Sequence, residues 1–157
     1  MSKFLKFAIS VIGCELVGIL ATPFTLSAIP TWYSTLNKPS FSPPNWVFGP
    51  VWTALYFLMG VSVYLVWEKG LKTKQVKEAL FYFLAQLFLN FIWSILFFGL
   101  RSPILGLVHI LVLWVLILIT TLKFYKLSKP ASYLLIPYLL WVSFAAILNF
   151  SIVLLNP

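Results

Sequence analysis

The chain has 157 residues, 62% of them hydrophobic and 9% charged, with a formal net charge of +8 and a mean hydropathy of +1.02. So few polar side chains cannot cover the surface of a water-soluble domain, which excludes that class. The 11 basic residues lie in short stretches between apolar runs, as membrane topology requires, so no nucleic-acid partner is expected.

Five apolar runs, at about residues 5–26, 46–67, 79–99, 103–124 and 131–155, are each long enough to cross about 30 Å of hydrocarbon. They predict one all-α integral membrane domain over residues 1–157: a five-transmembrane-helix bundle with a Pro-rich lid loop between helices 1 and 2.

Lys3 and Lys6 precede the first run. It is too long for a signal-peptide core and has no convincing cleavage site, so it reads as an uncleaved helix. Ser10, Cys14, Gly18 and Thr22 recur every four residues, a small-residue stripe that lets another backbone approach closely. Cys14 is the only cysteine, which excludes an intramolecular disulfide and a thiolate-rich metal site. Glu15 falls near the middle of the run, where an ionised carboxylate costs about 2.5 kcal/mol or more. It marks either a pathway or a protonated acid bonded to a neighbouring helix.

Between the first two runs, Pro39, Pro43 and Pro44 lack N–H groups and push their predecessors toward extended geometry. Residues 30–45 are therefore expected to form an ordered lid, since prolines reduce the entropy lost on ordering. Asn45 is a candidate N-cap for the second helix, with Pro50 near its first turn.

Nine of the 11 basic residues fall on one side of the membrane: Lys3, Lys6, Lys69, Lys72, Lys74, Lys77, Lys123, Lys126 and Lys129. Only Lys38 and Arg101 fall on the other. The N-terminus is thus expected inside, with loop 1 and the C-terminus outside, in a bacterial inner membrane.

Trp46 and Trp67 lie at the ends of the second run, where interfacial tryptophans belong. Trp52, Trp93, Trp114 and Trp141 lie at hydrocarbon depth, where an indole N–H needs an acceptor. Trp114 has only His109 as a polar neighbour and reads as lipid-facing or core filler. Helical spacing places Trp52, Tyr56 and Gly60 on one face of helix two, and Tyr82, Gln86, Asn90, Trp93 and Phe97 on one face of helix three. Helix five offers Tyr138, Trp141, Ala145 and Asn149 after Pro137, which is expected to kink or unwind its first third. These stripes either enclose an aromatic-walled pocket for a flat apolar ligand or pack on one another with their amides bonded across helices. Spacing alone does not choose.

Three acids and one histidine make neither a serine–histidine–acid set nor a metal site. His109 reads as a hydrogen-bonded interior residue rather than an axial haem ligand.

Beyond these patterns, the motifs Trp32-Tyr33, Lys38-Pro39-Ser40, Pro43-Pro44 and Trp46-Val47-Phe48-Gly49-Pro50-Val51-Trp52 stand together. Leu55-Tyr56, Met59-Gly60 and Tyr64-Leu65-Val66-Trp67 follow, then Gln86, Asn90, Trp93 and Phe97-Phe98-Gly99. Pro137-Tyr138-Leu139, Trp141, Phe144-Ala145 and Leu148-Asn149 complete the set. In these residues the chain resembles the translocator protein family, whose bacterial members are called tryptophan-rich sensory proteins and whose mitochondrial member is the peripheral benzodiazepine receptor.

The resemblance implies five helices around a pocket, capped by the loop after helix one, that accepts porphyrins and drug-like ligands. It implies that Trp52 and Trp141 match tryptophans implicated in porphyrin chemistry, catalytic only if porphyrin is degraded. Asn90 matches an amide that reaches ligand, and Ala145 a small pocket-lining position. Trp32, Phe48, Tyr56, Gln86, Trp93 and Leu148 complete the candidate ligand-binding set.

Two departures stand out. No basic residue follows Lys129, so the sterol motif of mammalian members is expected to be absent. His109 and Leu105 stand where many members carry an acid or a second tryptophan early in helix four, so one aromatic wall is expected to be lost. Arg101 and Lys38 are candidate partners for a porphyrin propionate at the pocket mouth.

The expected function is a membrane receptor or sensor that binds tetrapyrroles (porphyrin, haem) and related apolar ligands. The alternatives are a porphyrin transporter and a light-dependent or oxidative porphyrin-degrading enzyme. No obligatory cofactor and no metal are expected. The expected partners are membrane lipid, porphyrin as bound ligand, and a second copy of the chain in a homodimer.

Overall fold

Hydrocarbon offers backbone groups no partner, so each apolar run must close its own hydrogen bonds as a helix. The computed structural model describes residues 1–157. It contains α1 (Lys3–Ala28), α2 (Asn45–Trp67), α3 (Lys74–Ser94, continued by a π turn at Ile95–Gly99), α4 (Pro103–Leu127) and α5 (Lys129–Leu155). All five are long and apolar enough to cross a membrane.

The helices outrun their apolar cores because polar residues cap them. Ser2, Thr73, Ser102 and Ser128 accept hydrogen bonds from the backbone N–H groups of Leu5, Val76, Leu105 and Ala131. α2 departs from this pattern. Asn45 is not its cap but its first helical residue, and Pro44 takes the cap position with no side-chain bond. Pro137 lies within an unbroken α5, so the expected unwinding does not occur. The proline removes one helical bond, while packing against α2 and α4 holds the rest.

Short connections make successive helices antiparallel, and contacts close them into a ring: α1 on α2, α2 on α5, α5 on α4, α4 on α3, and α3 back on α1. The small stripe of α1 sets the first of these. A Cβ added at Gly60 of α2 would sit 2.6 Å from the Val11 Cα, and one added at Gly18 would sit 2.6 Å from the Tyr56 ring. Ser10 and Cys14 are buried in the same seam, whereas Thr22 stays exposed.

At the lysine-rich end the bundle is solid. Phe83 stacks on Phe124 with centroids 5.8 Å apart. Val66, Val76, Ala79, Ala131 and Leu135 are buried around them. Ser62 donates to the Ala131 carbonyl at 2.6 Å, and Ser132 to that of Thr121 at 2.9 Å. Two ion pairs rim this end, Lys6–Glu68 at 3.1 Å and Lys123–Glu78 at 2.8 Å.

At the other end the α1–α2 connection makes one 3₁₀ turn at Tyr33–Thr35. Tyr33 is buried against Phe97, Leu148 and Ile152. The Asn37 N–H donates to Asn156 Oδ1 at 2.9 Å, and Asn156 Nδ2 donates to the Asn37 carbonyl at 2.9 Å. The connection is therefore fastened to α3 and α5 at two points.

Candidate ligand-binding site

Toward the loop end the helices stand apart around a cavity of about 370 Å³, walled by α1, α2, α3 and α5 and bounded near the loop by Ile29 and Tyr33. α4 contributes no lining residue. The floor is a directed chain of hydrogen bonds from three helices. Tyr56 donates to Asn90 Oδ1, Asn90 Nδ2 donates to the Tyr138 hydroxyl, and Tyr138 donates to Gln86 Oε1, each at 2.7 Å. Every member is 5% exposed or less, so each polar group needs the next one.

Eight of the candidate residues line the cavity: Phe48, Trp52, Tyr56, Asn90, Trp93, Trp141, Ala145 and Leu148. Two do not. Trp32 lies edge-on against Phe97, with centroids 5.6 Å apart, and Gln86 is buried beneath the floor with its carbonyl oxygen committed to Tyr138. Both readings of the stripes are thus realised at different depths: amides bonded across helices below, an aromatic-walled space above.

The indoles divide the same way. Trp93 Nε1 donates to Asn149 Oδ1 at 3.4 Å. Trp114 Nε1 donates to Ser143 Oγ at 2.7 Å, so this residue bridges α4 to α5 and is not filler. Its acceptor lies on another helix, out of reach of a periodicity argument. Trp52 and Trp141 have no protein acceptor. Trp52 lies 5.6 Å from the Tyr56 ring and Trp141 6.2 Å from that of Phe48, so a row of π faces borders the space. Trp46 is 75% exposed and also lines the cavity.

His109 Nε2 lies 2.7 Å from the Leu89 carbonyl oxygen. A carbonyl only accepts, so that nitrogen donates, and the ring is an interior hydrogen-bonded group. Leu105 is 47% exposed and outside the cavity, as is all of α4. The expected loss of an aromatic wall there does not follow. Neither candidate cation lines the cavity: Arg101 is exposed in a left-handed conformation with φ of 53°. Lys38 sits 4.7 Å from the centroid of the Tyr33 ring and donates to the Leu36 carbonyl. Burial pushes the Tyr33 phenol above its usual range.

The wall that sequence reasoning left out of the candidate set is α1, whose small stripe is read above as packing and whose Glu15 is read as marking either a pathway or a bonded acid. Glu15, Ile19, Thr22, Leu26 and Ile29 line the cavity at steps of three and four. This stripe shares Thr22 with the small one, and Gly18 of the small stripe lines the cavity as well. The mid-helix carboxyl of Glu15 was the available signal.

A sequence model described as the TspO/MBR family matches residues 10–155. The chain is 47% identical over 154 residues to the "Tryptophan-rich protein TspO" of Archaeoglobus fulgidus, covering 98% of this chain and 99% of that one. It is 43% identical over 122 residues to the "Translocator protein" of Homo sapiens, covering 77% and 72%. It is 37% identical over 142 residues to the "Tryptophan-rich sensory protein" of Cereibacter sphaeroides, covering 88% and 85%. With five membrane-spanning helices and matches across nearly its whole length, the chain belongs to the TspO/MBR family of integral membrane proteins.

Proposed function

We propose that the protein is a membrane receptor that binds a tetrapyrrole, or a similarly flat and largely apolar molecule, in the cavity between α1, α2, α3 and α5. One observation carries this reading. Of the four indoles at hydrocarbon depth, the two with no acceptor in the protein, Trp52 and Trp141, both line the cavity. A planar ligand gains a stacking face from each and an acceptor role toward each N–H. The volume of about 370 Å³ falls in the range of small-molecule sites. The floor supports reception over transport, because the Tyr56–Asn90–Tyr138–Gln86 chain and the packed core beneath it leave no second opening toward the lysine-rich end.

The loop held by Tyr33 and Asn37 is the lid in this proposal, and the lysine-rich end faces the inner side of a bacterial inner membrane. Pairing of two copies belongs to the same proposal. Much of the small stripe of α1 is used against α2, which leaves the outer face of α3 for that contact. Titrating the protein in lipid with protoporphyrin, haem and a sterol, followed by quenching of tryptophan fluorescence, tests the reading. Saturable quenching by the tetrapyrroles supports it, and quenching no greater than that of free tryptophan in the same lipid rejects it.

A further inference from the structure

Among the residues lining the cavity, Glu15 carries the only carboxyl group, and no lysine, arginine or histidine joins it. It sits halfway along α1, at the foot of the lining stripe and next to Gly18, which packs on Tyr56. Its carboxyl makes no hydrogen bond and no ion pair within the chain, unlike Glu68 and Glu78, which pair with Lys6 and Lys123. An acid held within a membrane span usually faces a partner or a cavity; Glu15 has no partner, and its half-buried side chain lines the cavity.

Three of the hydroxyls lining the cavity are already committed. The Thr22 hydroxyl donates to the Gly18 carbonyl and that of Thr53 to the Gly49 carbonyl, both at 2.9 Å. Tyr56 donates to Asn90. Glu15 is therefore a free acceptor with no donor assigned to it.

The same side of the cavity is open to the bilayer. Ile19, Thr22 and Leu26 on α1 line the cavity and are exposed, as are Gly49 and Thr53 on α2. The space thus reaches the outer surface of the bundle through the α1–α2 seam, above the contact of Gly18 with Tyr56. A ligand dissolved in lipid reaches Glu15 without crossing the loop.

We infer that Glu15 reads the polar end of the ligand, and that the cavity takes membrane-dissolved planar molecules presenting a cation or an N–H donor to that carboxyl. The inference rests on the cavity being the ligand site proposed above, and it narrows the ligand class. On a tetrapyrrole, anionic substituents would point away from Glu15, and masking them as esters would favour binding.

The test uses purified protein in phosphatidylcholine nanodiscs and two planar tricyclic probes, cationic acridine orange and neutral anthracene, read by tryptophan quenching. Wild-type protein is expected to prefer the cation over its own Glu15→Gln variant's preference by about tenfold, the worth of one charge-assisted hydrogen bond. Glu15→Asp should retain the preference, and Glu68→Gln, at the far end, should leave it unchanged. A wild-type protein with no greater cation preference than Glu15→Gln overturns the inference. If Glu15→Gln fails to fold, the wild-type protein alone decides: acridine orange must protect Glu15 from carbodiimide coupling, and absence of protection overturns the inference. Protoporphyrin and its dimethyl ester run in parallel. If neither binds while the Glu15-dependent preference holds, the tetrapyrrole reading falls and this inference stands.

Discussion

The two halves of the bundle solve the same packing problem in opposite ways. At the lysine-rich end, Ala79, Ala131, Ser62 and Ser132 bring helices into contact, hydroxyls bond the facing carbonyls, and Phe83 and Phe124 fill what remains. At the loop end, Trp52, Trp93, Trp141 and Phe48 stand between helices and leave about 370 Å³ unfilled. One set of five helices thus carries a rigid base and a hollow top, divided by the Tyr56–Asn90–Tyr138–Gln86 chain. Close packing is concentrated below that line, and the open volume lies above it.

The largest break in this contrast is expected from Gly60→Val. The added side chain meets the backbone of Val11, which cannot give way as a flexible side chain would. Overpacking of this kind costs about 1–3 kcal/mol, occasionally more. The melting temperature in detergent should fall sharply, while Gly13→Ala, in open space, should be neutral or slightly stabilising. Equal effects of the two would show that the α1–α2 approach carries no special weight.

Tyr138→Phe cuts the dividing chain in the middle and strands a donor of Asn90 and the oxygen of Gln86. A loss of about 1–2 kcal/mol is expected, seen as a lower denaturation midpoint than that of Tyr133→Phe, whose ring is 55% exposed. Matching midpoints would mean that the network is dispensable.

Above the line, Trp52→Phe and Trp141→Phe should leave the midpoint nearly unchanged. They should weaken porphyrin binding by roughly tenfold or less, since aromatic stacking is worth about 0.5–1.5 kcal/mol. Trp67→Phe, at the opposite end and beside Lys6, is the control. If it impaired binding as much, a general need for aromatic anchors would replace the pocket.

Trp114→Phe should cost less, about 0.6 kcal/mol. The Ser143 hydroxyl keeps its bond to the Leu139 carbonyl, so nothing is stranded. Stability should drop slightly with binding intact, the reverse of the Trp52 pattern.

The smallest effect concerns Tyr33. Burial raises the pKa of its phenol in the folded state, so the folded form prefers the proton. This contribution is fully present below the phenol's unfolded value of about 10 and is lost as pH rises through the folded value. The difference between alkaline tyrosinate titrations of the wild-type and Tyr33→Phe proteins should isolate one phenol that ionises above the usual range, and a difference at the ordinary value would reject it.

The contrast also explains what could be read from sequence. The five helices and their antiparallel order follow from run length and the lysine distribution, because hydrocarbon enforces both. Most of the site followed from side-chain spacing together with the family resemblance, since the cavity faces of α2, α3 and α5 are marked by aromatics and amides. The face of α1 was hidden because its lining is Ile19, Thr22 and Leu26, residue types that lipid and cavity accept equally. Trp114 was misjudged for the complementary reason: its partner, Ser143, lies on another helix, and periodicity describes only one helix at a time. For Gln86 the cross-helix bond was one of the two readings left open, and the bond from Tyr138 realises it.

The contact of Gly18 with Tyr56 has a mechanical consequence. From Gly18 to Ala28 the helix forms an arm of about 15 Å at 1.5 Å per residue, with Pro23 midway along it, held at one end by that contact and joined at the other to the loop held by Tyr33. A tilt of about 10° about such a fulcrum moves the far end by about 3 Å, close to the thickness of one aromatic ring. A displacement of the loop would therefore alter the width of the α1–α2 seam most at its loop end and least at the close glycine contact that bounds it below.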